Sequence, residues 1–148
     1  MRSLHFVLGA ALLAACAKPD APPPAVPAPP VATVNLADFA GTWTSQVMAE
    51  NSDSVLVTTT MVASADPAGW TLTLPGRAPM ALRVSTSGDS VVTEVGPYES
   101  VLRPGVQVTT RTAAKLEGGM LMGLTVATYS GGGADSVRVL RNRGTRNP

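Results

Sequence analysis

From Asn35 to Asn142 the chain alternates. Trp70-Thr71-Leu72-Thr73-Leu74 sets its large apolar residues two apart. Met80, Leu82 and Val84 share one face of a run, and Val106 and Val108 share a face of another. Met120, Met122, Leu124 and Val126 fall on one side, with Gly123, Thr125 and Ala127 opposite. Val137 and Val139 flank Arg138. A period of two is the mark of a strand with one face buried. The β-branched Val and Thr that fill these runs suit a pleated surface better than a helix. The only helical spacing is a short turn over Val34 to Ala40.

Turn residues punctuate the alternation. Glu50-Asn51-Ser52-Asp53, Asp66-Pro67, Pro75-Gly76, Ser87-Gly88-Asp89, Gly96-Pro97, Pro104-Gly105, Gly118-Gly119 and Gly131-Gly132-Gly133 divide the runs. The result is eight strands, near 41–48, 54–63, 69–74, 80–86, 90–95, 106–115, 119–129 and 136–142, with residues 98–102 able to extend the fifth or the sixth. Short hairpins between them predict an all-β domain, a small antiparallel up-and-down barrel over residues 35–142. Closure removes the exposed edges that invite aggregation. An eight-stranded barrel is filled by its side chains or holds one small ligand.

The segment before this domain has a different character. Residues 1–16 read MRSLHFVLGAALLAAC, with Arg2 ahead of an apolar stretch and small residues after it. That order is a secretory signal, over residues 1–15. Its apolar stretch, Leu4 to Leu13, spans roughly 15 Å as a helix, half a hydrocarbon core. Leu13-Ala14-Ala15-Cys16 resembles the lipobox of bacterial lipoproteins. The resemblance implies cleavage before Cys16 and acylation there, with palmitate among the expected chains. Two or three such chains hold a protein stably on a membrane. Ala17 rather than Asp follows Cys16. By the same resemblance this implies the outer membrane, facing the periplasm or the cell surface.

Seven of the 13 prolines lie between Pro19 and Pro30. Proline fixes φ and removes donors, so residues 16–34 form no helix or sheet but a polyproline spacer, a tether behind the lipidated Cys16.

Asp38-Phe39-Ala40-Gly41-Thr42-Trp43 resembles the opening of a lipocalin or related calycin barrel. There a helical turn leads into Gly-x-Trp, the Trp plugs the closed end, and an Arg near the last strand packs across its ring. The resemblance gives Gly41 and Trp43 these roles, and of Arg138, Arg141 and Arg143 we assign Arg141 to the ring. The family's further motifs are not evident, so no ligand follows from it.

Charge and chemistry exclude much. Eleven Lys and Arg against ten Asp and Glu leave a net charge of +1, with no broad basic surface for nucleic acid. One His and one Cys, both in the leader region, preclude a zinc cluster and His-based catalysis in the domain. No nucleophile elbow or Ser-x-x-Lys appears. We expect no enzyme, no cofactor and no metal. Glu94 and Glu99, flanking Gly96-Pro97, read as exposed carboxylates near a turn. Met61, Trp70, Met80, Met120 and Met122 are the candidate lining of a deformable apolar pocket. Plain core filling is the competing account of them. Residues 143–148 read as a basic tail, able to attract anionic headgroups. The expected function is binding of a small apolar ligand or lipid. The alternative is an inhibitor or structural module acting through barrel loops.

Overall fold

The structure, a computed structural model, describes residues 34–148. The signal sequence, Cys16 and nearly all of the tether lie outside the described residues. No helix among the described residues is long and apolar enough to cross a membrane.

A 3₁₀ turn, η1 (Leu36–Phe39), leads into nine strands. These are β1 (Gly41–Ala49), β2 (Val55–Ala63), β3 (Thr71–Thr73), β4 (Met80–Ala81), β5 (Arg83–Ser87), β6 (Ser90–Glu99), β7 (Gln107–Glu117), β8 (Met120–Tyr129) and β9 (Val137–Arg146). A second 3₁₀ turn, η2 (Pro67–Gly69), sits between β2 and β3. The order across the sheet is β4-β3-β2-β1-β9-β8-β7-β6-β5, antiparallel throughout. The two outermost strands, β4 and β5, are separated in sequence only by Leu82. Its N–H donates to the Trp70 carbonyl at 2.9 Å, one step on in the register that pairs Thr71 with Ala81, so Leu82 still belongs to the β3 side. One bent strand thus pairs with β3 through its first half and with β6 through its second. This is how the ninth strand arises: the expected run 80–86 divides at Leu82, and the sheet curls almost closed around it.

Adjacent strands meet through hairpins, so one end of the barrel carries the loops after β2, β5 and β7. The other end carries the loops after β1, β3, β6 and β8. The first end is closed. Trp43 and Trp70 are fully buried there with Phe39, whose ring centroid lies 6.2 Å from that of Trp70. Both indoles are satisfied. Trp43 Nε1 donates to the Phe39 carbonyl at 2.8 Å, and Trp70 Nε1 donates to the Ser64 carbonyl at 2.8 Å. Asn35 caps η1 by accepting from the Ala37 N–H, so the turn is fixed where it seals the barrel.

Three expectations need correction. The last strand continues to Arg146, so residues 143–146 belong to the barrel wall rather than to a tail. Tight pairing with β1 and β8 holds Arg143 and Gly144 in the ladder, which charge alone did not reveal. The fifth expected strand runs past Val95: β6 resumes pairing at Tyr98 after an irregularity, so of residues 98–102 the first two extend it. Finally, Met120, Met122, Leu124 and Val126 do share a face of β8, but it is the outer one. Leu124 is 51% and Val126 41% exposed, while Leu121, Thr125, Ala127 and Tyr129 are buried. The reason is size. β8 is apolar on both faces, and its inner face must pass close to β7. A Cβ on Gly123 would lie 2.8 Å from that of Ala114.

Candidate functional site

The barrel is not filled. Between the Trp43 plug and the open end lies a cavity of about 110 Å3. For scale, an engineered apolar cavity of about 150 Å3 takes up benzene. The walls come from every long strand. Val47 and Val57 face each other across β1 and β2, Leu72 and Leu74 line the β3 side, and Val108, Ala127 and Leu140 close the far wall.

Polar residues interrupt this apolar lining in an ordered way. Thr93, Thr112 and Thr125 stand directly opposite one another across β6, β7 and β8, all turned inward. Thr112 Oγ1 and Thr125 Oγ1 are 2.6 Å apart, and the Asn142 side-chain amide donates to Thr125 Oγ1. Together they make a hydrogen-bonded seam at mid-depth. Ser45 and Thr59 form a second inward pair across β1 and β2. Buried hydroxyls are costly unless paired, so a seam in place of Val is a chemical feature of the wall. Among the described residues no Asp, Glu, Lys, Arg or His lines the cavity. Among the same residues its titratable groups are the phenols of Tyr98 and Tyr129. Burial pushes the Tyr98 phenol above its ordinary range, against the opposing pull of a Thr110 hydrogen bond and the Arg77 charge.

The open end is partly covered. The loop from Ser100 to Val106 folds on itself. The Ser100 N–H donates to the Val106 carbonyl at 2.8 Å, and the N–H groups of Leu102 and Arg103 donate to Ser100 Oγ at 3.1 Å. This aims Val101 and Leu102 at the cavity. Arg103 then ties the loop across the mouth. Its guanidinium stacks 4.1 Å from the Tyr129 ring centroid and donates to the Asp135 carbonyl at 2.8 Å. Arg77 anchors the β3–β4 loop to the Glu99 carbonyl.

The sequence-derived candidates fall in different places. Met61 lines the cavity. Trp70 is core, beneath it, and Met80 is half-buried against the same core. Met120 and Met122 are on the outer wall, where Arg143 reaches the Met120 sulfur at 3.6 Å. Gly41 and Trp43 lie at the closed end, and the Gly41 φ of +135° is one that side chains rarely adopt. The cation over the Trp43 ring is Arg146, at 4.6 Å, not Arg141. The register explains why. Trp43 stands opposite Arg146, while Arg141 stands opposite Met48, five residues or roughly 17 Å nearer the open end. Arg141 instead joins Asp53 at 2.7 Å and the Ser52 carbonyl at 2.8 Å, bracing the β1–β2 loop.

The threonine seam, Tyr98 and Leu102 were missed. A signal for the seam existed: Thr110 and Thr112 share the face of Val108 and Ala114 on β7. The carboxylates do not meet either. Glu94 lies between Arg83 at 3.5 Å and Arg111 at 3.1 Å, and Glu99 accepts from the Gly105 N–H at 3.1 Å. No group of three or more His, Cys, Asp or Glu able to hold a metal occurs among the described residues. No family model, curated protein or solved structure matches the chain.

Proposed function

We propose that this chain is a lipid-anchored protein of the bacterial cell envelope whose barrel takes up a small apolar ligand. The internal cavity carries the ligand reading. Its walls are largely aliphatic, and a latched loop shelters its mouth. Burial of apolar surface there supplies about 25 cal/mol per Å2. The anchor reading rests on Leu13-Ala14-Ala15-Cys16 and the proline-rich residues after it. The two fit each other, because Val34 is followed at once by η1, at the closed end. A tether joined there meets the domain at the end opposite the mouth. Kinship with calycin barrels draws support from Gly41-x-Trp43 and from an arginine of the last strand over the Trp43 ring. The outer membrane is the proposed site, with acyl chains on Cys16.

One observation favours the second reading, an interaction module without ligand. Leu124, Val126 and Val137 are 51%, 41% and 53% exposed on the outer wall of β8 and β9. Native mass spectrometry of the full chain purified from its own host separates the two. A retained small molecule, lost on activation, is the expected result. A ligand-free mass with a co-purifying protein would overturn the ligand reading. In the same host, Cys16→Ser should release the protein from membranes.

A further inference from the structure

Resting on the ligand reading, we infer that the barrel selects an uncharged amphiphile, with its tail along Val57, Leu72 and Leu74 and a hydroxyl or carbonyl head on the Thr112–Thr125–Asn142 seam. The wall opposite the tail is what sets the head. An alkane leaves the seam without a new partner, so a purely apolar ligand uses only half of what the cavity offers. A head with one donor or acceptor adds a bond to it. A charged head is refused for a different reason. The cavity has no ionised side chain to pair with one, and an unpaired charge in an apolar enclosure loses its hydration without compensation.

The nearby cations do not change this. Arg103 is held over Tyr129 and on the Asp135 carbonyl, and Arg77 is held on the Glu99 carbonyl. Arg138 pairs with Ala127 near the start of β9, at the rim, and is exposed to solvent. All three lie at the mouth, whereas the seam is at mid-depth. The hydroxyl groups of the seam both donate and accept, so alcohols, esters and amides all satisfy it.

The test is calorimetric titration of the full chain with three ligands sharing one tail: 1-octanol, octanoate and octylammonium, at about pH 8 where both charged heads are ionised. The expected result is binding of octanol, with the two ions weaker by at least about tenfold. Thr125→Val, which keeps the shape and removes the hydroxyl, should weaken octanol by roughly three- to tenfold and leave octane unaffected. Asn142→Leu should do the same, and Thr125→Val carries the test if that variant fails to fold. Octanoate or octylammonium binding as well as octanol would overturn this inference and leave the ligand reading standing. Octanol binding unchanged in Thr125→Val would overturn the placement of the head. If none of the three binds, the ligand reading itself fails.

Discussion

The Arg146 guanidinium lies 4.6 Å from the centroid of the Trp43 ring, held there by the register that sets the two residues opposite each other on β9 and β1. It also donates to the Asp38 carbonyl, so one side chain ties the last strand to both the plug and the turn that seals it. Trp43→Ala should cost about 3–5 kcal/mol, the usual loss for a buried Trp. Arg146→Ala should cost about 1 kcal/mol, from a solvent-facing cation–π contact and one hydrogen bond. Arg141→Ala, at the other end, should disturb the β1–β2 loop and leave the plug intact. Urea unfolding followed by Trp fluorescence distinguishes them, since only the first two variants alter the environment at the closed end.

Tyr98 gives the domain an alkaline sensitivity. Its phenol is raised by burial, so the folded state holds the proton more tightly than the unfolded state. The associated stability is complete below the unfolded value of about 10 and is lost as pH rises through the folded one. Tyr98→Phe should therefore flatten the decline in the urea midpoint between about pH 9 and 11. An equally steep decline in that variant would assign it to other groups.

Arg103 should govern access to the cavity. Removing its stacking on Tyr129 and its bond to the Asp135 carbonyl frees the Ser100–Val106 loop from the far side of the mouth. In Arg103→Ala, amide exchange of Leu102 and Arg103 should accelerate, as expected of a segment lowered in local stability. Ligand dissociation should accelerate with it, measurable by stopped flow. Protection unchanged from the parent would show that the loop's internal bonds to Ser100 suffice.

Two inner-wall glycines should respond unequally to the same change. A Cβ at Gly123 would meet the Ala113 carbonyl oxygen at 2.7 Å, which is backbone and cannot turn aside. At Gly144 the nearest atom is Ser45 Oγ at 2.8 Å, which can rotate. Gly123→Ala should cost about 1–3 kcal/mol by overpacking, and Gly144→Ala less. Thermal unfolding of the pair checks the order.

Strand positions were legible because each hairpin ends on Gly, Pro or Asp and each wall residue alternates. What alternation could not decide is which face of β8 turns inward, since both of its faces are apolar. Only the close approach of Gly123 to β7 settles it, and that is a tertiary fact. The arginine over Trp43 is not legible for a related reason: β9 carries several arginines, and only its pairing with β1 sets Arg146 rather than Arg141 opposite Trp43. The seam was overlooked because Thr in a strand reads as propensity. Its chemistry emerges only when Thr93, Thr112 and Thr125 line up across three strands.

The central claim is that an apolar molecule binds inside the barrel rather than on its outer wall. Calorimetric titration with benzene, a neutral apolar molecule on the scale of this cavity, tests it most directly in the parent, Val57→Phe and Leu124→Ser. Val57 lines the cavity and Leu124 is the most exposed large residue of the outer wall of β8. The expected result is that Val57→Phe, by filling the cavity, removes saturable benzene binding while Leu124→Ser leaves it unchanged. Benzene binding lost in Leu124→Ser and retained in Val57→Phe would contradict the claim.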